Sequence, residues 1–160
     1  MTFRTGLGYD IHPLRRGHKL ILGGIEIPSE KGEVGHSDGD VLIHAIVDAL
    51  LGTISAGDIG TLFPDTDPQY KNAKSRIFLE KTLLLLSEKD FHINNMDATI
   101  VLEAPRLQPH IRKIRHHLAE ITNIPVDQVS VKATTNEKLG YIGKGEGIAC
   151  YANVLVYNDK

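Results

Sequence analysis

Apolar and polar residues alternate near both ends of the chain, and between these ends lie three stretches of helical periodicity. Residues 3–12 are predicted as a strand. Pro13 should end it, because proline brings no amide to a ladder. Residues 18–22 form a second strand, Gly23-Gly24 turns the chain, and Ile25-Glu26-Ile27-Pro28 returns it as a hairpin. Residues 29–34 read as a polar loop. From Val41 to Leu51 nearly every residue is apolar, which predicts a buried helix ending within 52–57. Glycine, proline and aspartate dominate 57–68, giving a loop with defined turns. A helix is predicted over 73–89, with Ile77, Leu79, Leu83, Leu84 and Leu86 on its apolar faces. Residues 91–103 settle into a strand through Met96, Ala98, Ile100 and Leu102, and Ala104-Pro105 breaks it. Pro109 suits the first turn of a third helix, 109–122, which Asn123-Ile124-Pro125 ends. Residues 129–135 and 148–157 are the last strands, separated by a glycine-rich loop.

The order β, hairpin, α, α, β, α, β, β predicts an α+β fold with α/β-type layers. It implies a mixed, four-stranded type of sheet with helices on one face, in a single domain over 1–160. The other face of the sheet must be solvated or covered by further subunits, so self-association is expected. A length of 160 residues is enough for one core and too short for two. A net charge of −2 argues against general binding to nucleic acid. Cys150 is the single cysteine, which excludes a disulfide framework and a cysteine-rich zinc site; its apolar surroundings assign it to packing. The N-terminal residues lack the apolar core of a secretion signal, and the leucine run 83–86 is far too short to cross a membrane. A cytoplasmic protein with no membrane partner is the expectation.

Chemistry-bearing residues concentrate in Gly35-His36-Ser37-Asp38-Gly39-Asp40-Val41-Leu42-Ile43-His44-Ala45. Asp38 or Asp40 caps the helix that follows. His44 lies one turn inside, as a metal ligand, a general base or a satisfied core histidine. Asp40 and Asp48 flank it at i−4 and i+4, and either can hold its imidazole tautomer. Asp10 and His12 are two apart on a strand and share a face. Two histidines and a carboxylate leave one position open on tetrahedral zinc, as a substrate-orienting site requires. The loop from Thr134 to Gly147 offers Thr134, Thr135, Glu137, Lys138 and Lys144 among glycines that permit close approach of a phosphate. Its spacing is neither a P-loop nor a dinucleotide fingerprint. Glu137 is a hard oxygen donor suited to magnesium or manganese on a diphosphate. His110, His116 and His117 read as a solvated helix face. Together these pieces point to metal-assisted phosphoryl transfer, with the substrate left open.

Four motifs carry a resemblance that covers essentially the whole chain. They are Gly8-Tyr9-Asp10-Ile11-His12, the stretch His36 to Ala45, Asp58-Ile59-Gly60 with Phe63-Pro64-Asp65-Thr66-Asp67, and Lys132-Ala133-Thr134-Thr135-Asn136-Glu137-Lys138-Leu139-Gly140. In order and spacing they closely resemble the 2-C-methyl-D-erythritol 2,4-cyclodiphosphate synthase family. The resemblance implies a lyase of non-mevalonate isoprenoid synthesis, which cyclises 4-diphosphocytidyl-2-C-methyl-D-erythritol 2-phosphate and releases CMP. It implies a homotrimer packed around a threefold axis, with active sites between subunits and a central cavity that takes isoprenoid diphosphates. By the same resemblance, Asp10, His12 and His44 hold zinc and Glu137 helps to hold magnesium or manganese. His36 and Thr135 stabilise the transition state, and His36 and Ser37 contact phosphate. Asp58, Gly60, Phe63, Asp65 and Asp67 belong to the erythritol side. Leu102, Ala104, Pro105, Gln108 and Thr134 line a cytidine pocket, and Tyr141 and Lys144 complete the site. Position 141 is often Phe in the family and position 144 often Arg; Lys144 keeps the charge without the bidentate fork.

Two other readings use the same residues. A zinc phosphohydrolase would direct the metal at water. A non-catalytic trimeric module would bind metal or an isoprenoid diphosphate without needing Asp10, His12 and Glu137 together.

Overall fold

Strand β1 spans Thr2–Arg16 in the computed structural model, which describes residues 1–159, so only Lys160 of the expected domain lies outside. The strand does not end at Pro13. Residues 2–13 pair antiparallel with β7 (Gly147–Asn158), whereas Leu14, Arg15 and Arg16 pair with β4 (Lys31–Glu33). Pro13 stands where the ladder changes partner, so its missing amide interrupts neither run, and its carbonyl accepts from Val34 N. The stretch predicted as polar loop, 29–34, thus contributes an edge strand. Its Glu33 is buried and accepts from the backbone amides of Val41 and Ile21.

The sheet is mixed and has five strands in the order β4-β1-β7-β5-β6, with β5 at His92–Val101 and β6 at Val129–Thr134. Only the β5–β6 pair is parallel. Strands β2 (Leu20–Leu22) and β3 (Ile25–Ile27) form the separate predicted hairpin.

Helix α1 (Val41–Thr53) is the centre of the core and is buried on nearly every side. It lies directly on β1 at two glycines. A Cβ on Gly6 or Gly8 would fall within 2 Å of the carbonyl oxygens of Ala49 and Ala45. No other residue allows this approach of helix to strand backbone. The next residues on the same side of β1, Asp10 and His12, therefore extend past the glycines towards the helix start.

A short helix, α2 (Ile59–Leu62), interrupts the loop predicted over 57–68. Helix α3 (Arg76–Glu88) starts three residues later than predicted, and α4 (Ile111–Thr122) follows β5. One turn of helix, α5 (Gly140–Gly143), lies within the glycine-rich loop before β7. His117 is not simply solvated: its Nδ1 lies 2.7 Å from Gly23 O and ties α4 to the hairpin turn. The odd-numbered side of β1 faces away from α1 and leaves Phe3, Leu7, Tyr9 and Ile11 exposed, with Tyr151 of β7 beside Tyr9 at 4.9 Å between ring centres. Among the described residues no helix is long and apolar enough to cross a membrane.

Candidate active site

Strand alternation and the bare glycines of β1 bring Asp10, His12 and His44 to one point. Asp10 Oδ2 lies 2.9 Å from His12 Nε2 and 3.0 Å from His44 Nδ1, and the two ring nitrogens are 3.2 Å apart. Among the described residues this is the one group of three whose donor atoms converge as a metal site requires. The fit can be tested against bond lengths. Zinc bonds of about 2.0–2.1 Å in a tetrahedron put donors about 3.3 Å apart, slightly more than the separations here. Burial works to raise the pKa of Asp10, but hydrogen bonds from His12 and His44, and their charges, overcome it. The carboxyl is held well below its usual range and stays ionised, as a ligand must.

The expected support for His44 is not what the fold uses. Asp40 is fully buried as the N-cap of α1, where Oδ1 accepts from Ile43 N and Gly23 N at 3.0 Å and Oδ2 accepts from Gly24 N. Burial nevertheless pushes this carboxyl up to about 6, with the three amides pulling the other way. Asp48 accepts from Ile59 N at 2.7 Å. The imidazole is held instead from the start of α3: His44 Nε2 is 2.8 Å from Ser75 Oγ and 3.2 Å from Ser37 Oγ. Ser75 in turn donates both its hydroxyl and its amide to the Asp38 carboxylate, so Asp38 bridges to α3 and Asp40 alone caps α1. Sequence reasoning missed Ser75. It precedes an amphipathic helix and reads there as an ordinary cap.

One cavity adjoins this arrangement and a second lies at the same end of the sheet. The first, about 320 Å³, opens over His12 and His44 and is walled by His36, Ser37, Gly60, Phe63 and Asp65. Its apolar side is a cluster in which Phe63 stacks on Phe78 at 5.0 Å and Tyr70 meets both edge-on. Asp58 caps α2 through Thr61, and Asp67 caps the 3-10 turn Pro68–Tyr70 through Gln69, so both carboxylates order the loop around the cavity. The second cavity, about 570 Å³, lies beside the cis Ala104-Pro105 bond, with Leu102, Pro105, Gln108, Thr134 and Thr135 in its wall. His12 and Thr134 sit at the same end of the sheet, on β1 and β6. Three strand steps separate them, roughly 14 Å at the usual spacing.

The loop after β6 is exposed throughout 134–141. Glu137 and Lys138 take left-handed φ values of 51° and 62°. Glu103 Oε1 accepts from the amides of Asn136 and Lys138 and fixes this pair, while Thr135 Oγ1 donates to Glu137 at 3.0 Å. Tyr141 and Lys144 line neither cavity; Tyr141 stands beside Tyr9, whose hydroxyl is pushed up to about 12 by desolvation and by the neighbouring phenol. Cys150 is fully buried, and burial raises its thiol well above the ordinary range, consistent with packing.

Known proteins match this chain along nearly its whole length. The family model described as the YgbB family matches residues 3–157. A relative from Geobacter sulfurreducens, named 2-C-methyl-D-erythritol 2,4-cyclodiphosphate synthase, is 55% identical over 153 residues, covering 96% of this chain and 98% of its own. A solved structure described as the CDP complex of IspF from Plasmodium falciparum superposes with a TM-score of 0.87 at 37% identity, over 99% of this chain and 97% of that one. The bifunctional IspDF of Campylobacter jejuni superposes with a TM-score of 0.93 at 37% identity; the match covers 97% of this chain and 42% of that longer one. The chain therefore belongs to the YgbB family, the family of the 2-C-methyl-D-erythritol 2,4-cyclodiphosphate synthases, and is an enzyme.

Proposed function

We propose that the enzyme cyclises 4-diphosphocytidyl-2-C-methyl-D-erythritol 2-phosphate to 2-C-methyl-D-erythritol 2,4-cyclodiphosphate and releases CMP. The observation that carries this is the convergence of Asp10, His12 and His44 at the mouth of a cavity with polar and apolar walls. An oxygen of the 2-phosphate attacks the β-phosphorus, a new P–O bond closes the ring, the bond from the β-phosphorus to the bridging oxygen breaks, and that oxygen leaves with CMP. No water enters.

Asp10, His12 and His44 would hold zinc, and Glu137 would help to hold magnesium or manganese. When bound, these cations supply charge neutralisation for the diphosphate oxygens. The chain's own groups do the positioning. His36 and Ser37 stand at the cavity rim, suited to the phosphate. Gly60 and Asp65 face the polyol, with Asp58 and Asp67 holding their loop in place. Phe63 and its aromatic neighbours offer the surface for the methyl group and keep water away. Leu102, Ala104, Pro105, Gln108 and Thr134 suit the cytosine and ribose. Thr135 and Glu137, with Lys144 and Tyr141, would serve the diphosphate from a second copy of the chain. Three strand steps between the two cavities and the exposed apolar side of β1 favour a homotrimer with sites shared between subunits. A cytoplasmic location, and an isoprenoid diphosphate in a central cavity, complete this reading.

Phosphorus NMR of the product, with metal analysis of the purified protein, tests the assignment. A cyclic diphosphate plus one CMP per turnover is expected. Label from ¹⁸O-water appearing in the phosphate products would sink cyclisation in favour of hydrolysis.

A further inference from the structure

A serine before a helix ordinarily turns its hydroxyl back onto the free amides of the first turn. Ser75 does not: it precedes α3 in a helical conformation (φ −58°, ψ −23°) and makes no side-chain cap. Its hydroxyl is fully buried and directed at another element, 2.8 Å from His44 Nε2 on α1. The direction of each proton follows from the partners. The Asp38 carboxylate can only accept, so the Ser75 hydroxyl hydrogen goes to Asp38 Oδ1, and Ser75 N–H goes to Oδ2 at 3.0 Å. The oxygen of Ser75 is then left as an acceptor towards the ring, which places the imidazole hydrogen on Nε2. Nδ1 is the nitrogen turned to Asp10 and His12, at 3.0 Å and 3.2 Å, where a cation would sit.

We propose that Ser75, oriented by Asp38, is the positioning residue that accepts from His44 Nε2–H and thereby holds Nδ1 towards a divalent cation. The inference rests on the metal centre of the proposed function and adds to it the group that sets its ligand geometry. Asp38 has a second role in this arrangement. Its amide donates to Ala73 O, and Asn72 N donates to His36 O, so the chain before α3 is stitched to the loop before α1. Ser37 Oγ, 3.2 Å from the same ring nitrogen and 3.3 Å from Ser75 Oγ, becomes the outer member of the chain of hydroxyls, with its hydrogen free to serve a phosphate in the cavity.

The test uses the full chain and Zn²⁺ alone. Nitrogen-15 correlation spectra of the zinc-loaded protein should show a hydrogen-bonded, exchange-protected proton on His44 Nε2. In Ser75→Ala this proton should lose its protection, and zinc affinity, read by competition with a chromogenic chelator, should fall about tenfold to a hundredfold. Asp38→Asn, which keeps one acceptor for the hydroxyl, should give an intermediate loss and provides a second reading if Ser75→Ala folds poorly. Thr82→Val is the control for a merely structural role. It removes another fully buried hydroxyl, that of Thr82 on α3, bonded to Phe78 O, and should lower thermal stability while leaving the His44 proton and zinc affinity unchanged. An unprotected His44 Nε2 in the wild type, or zinc affinity unmoved by both Ser75→Ala and Asp38→Asn, overturns the inference. Neither readout needs substrate, so a protein that passes both and forms no cyclic diphosphate overturns the cyclase reading alone.

Discussion

His44 is 9% exposed and both its ring nitrogens have partners, whereas Thr135, Glu137 and Lys144 lie on the surface and Glu137 is bonded to a neighbour in its own loop. The difference follows from what surrounds each group. The metal side grows out of α1 and β1, where main chains touch and every carboxylate is engaged by amides or rings. The loop side hangs beyond β6 on one carboxylate, Glu103, which offsets the cost of two left-handed residues. One half of the site is thus complete within a single fold, and the other is shaped but uncovered. On the proposed function, such a site would hold its cation before substrate arrives and take its second wall from a neighbouring copy.

The comparison predicts that the two halves fail differently. His44→Ala should abolish zinc binding and lower kcat/KM at least about a thousandfold, because loss of several kcal/mol of charge stabilisation has no substitute. Retained cyclisation in a coupled CMP assay would refute the metal assignment. Asp40→Asn should cost about 1–3 kcal/mol in urea unfolding, since an amide nitrogen would face a backbone donor that now finds a carboxylate oxygen. The pH dependence has a definite sign. The folded protein raises Asp40 from 3.8 to about 6, so between those values it holds a proton that the unfolded chain has lost. This contribution to stability is present in acid and declines as the pH climbs through that window. Thermal midpoints of the metal-free protein should show the decline, and Asp40→Asn should make it shallower, with the raised Glu33 and Asp48 carboxyls keeping the remainder. Glu103→Ala should raise KM about tenfold, in line with one hydrogen-bonded carboxylate lost, while zinc affinity stays unchanged. A fall in zinc affinity would erase the distinction between the halves. The smallest effect belongs to Cys150, which should resist thiol reagents in the folded protein and react only on unfolding.

Much of this was legible along the chain, for physical reasons. Alternation placed Asp10 and His12 on one face of a strand, and the apolar run from Val41 placed His44 on a buried helix. A period of two and a nearly unbroken apolar stretch survive any tertiary context. Pro13 and Glu33 were misleading because pairing partners decide what a strand tolerates: a ladder that changes neighbours can include a proline, and a glutamate beside free helix amides can be buried. Ser75 was invisible for the same kind of reason. Its sequence neighbours make it a cap, and only the packing of α3 against α1 turns its hydroxyl to an imidazole 31 positions away. The five-stranded sheet, in place of four strands, follows from the same edge segment around Glu33.

The contact of α1 with Gly6 and Gly8 has a consequence for how the protein can vary. The gap between Asp10 and His44 is gauged by main chain resting on main chain, and not by the volumes of the side chains around them. Core residues such as Leu50 or Ile46 can then be exchanged at a cost in stability while the ligand atoms keep their separation. Mechanically, the two glycines act as a hard stop, and the tolerance of the metal centre is set there, four residues or fewer from its first ligand.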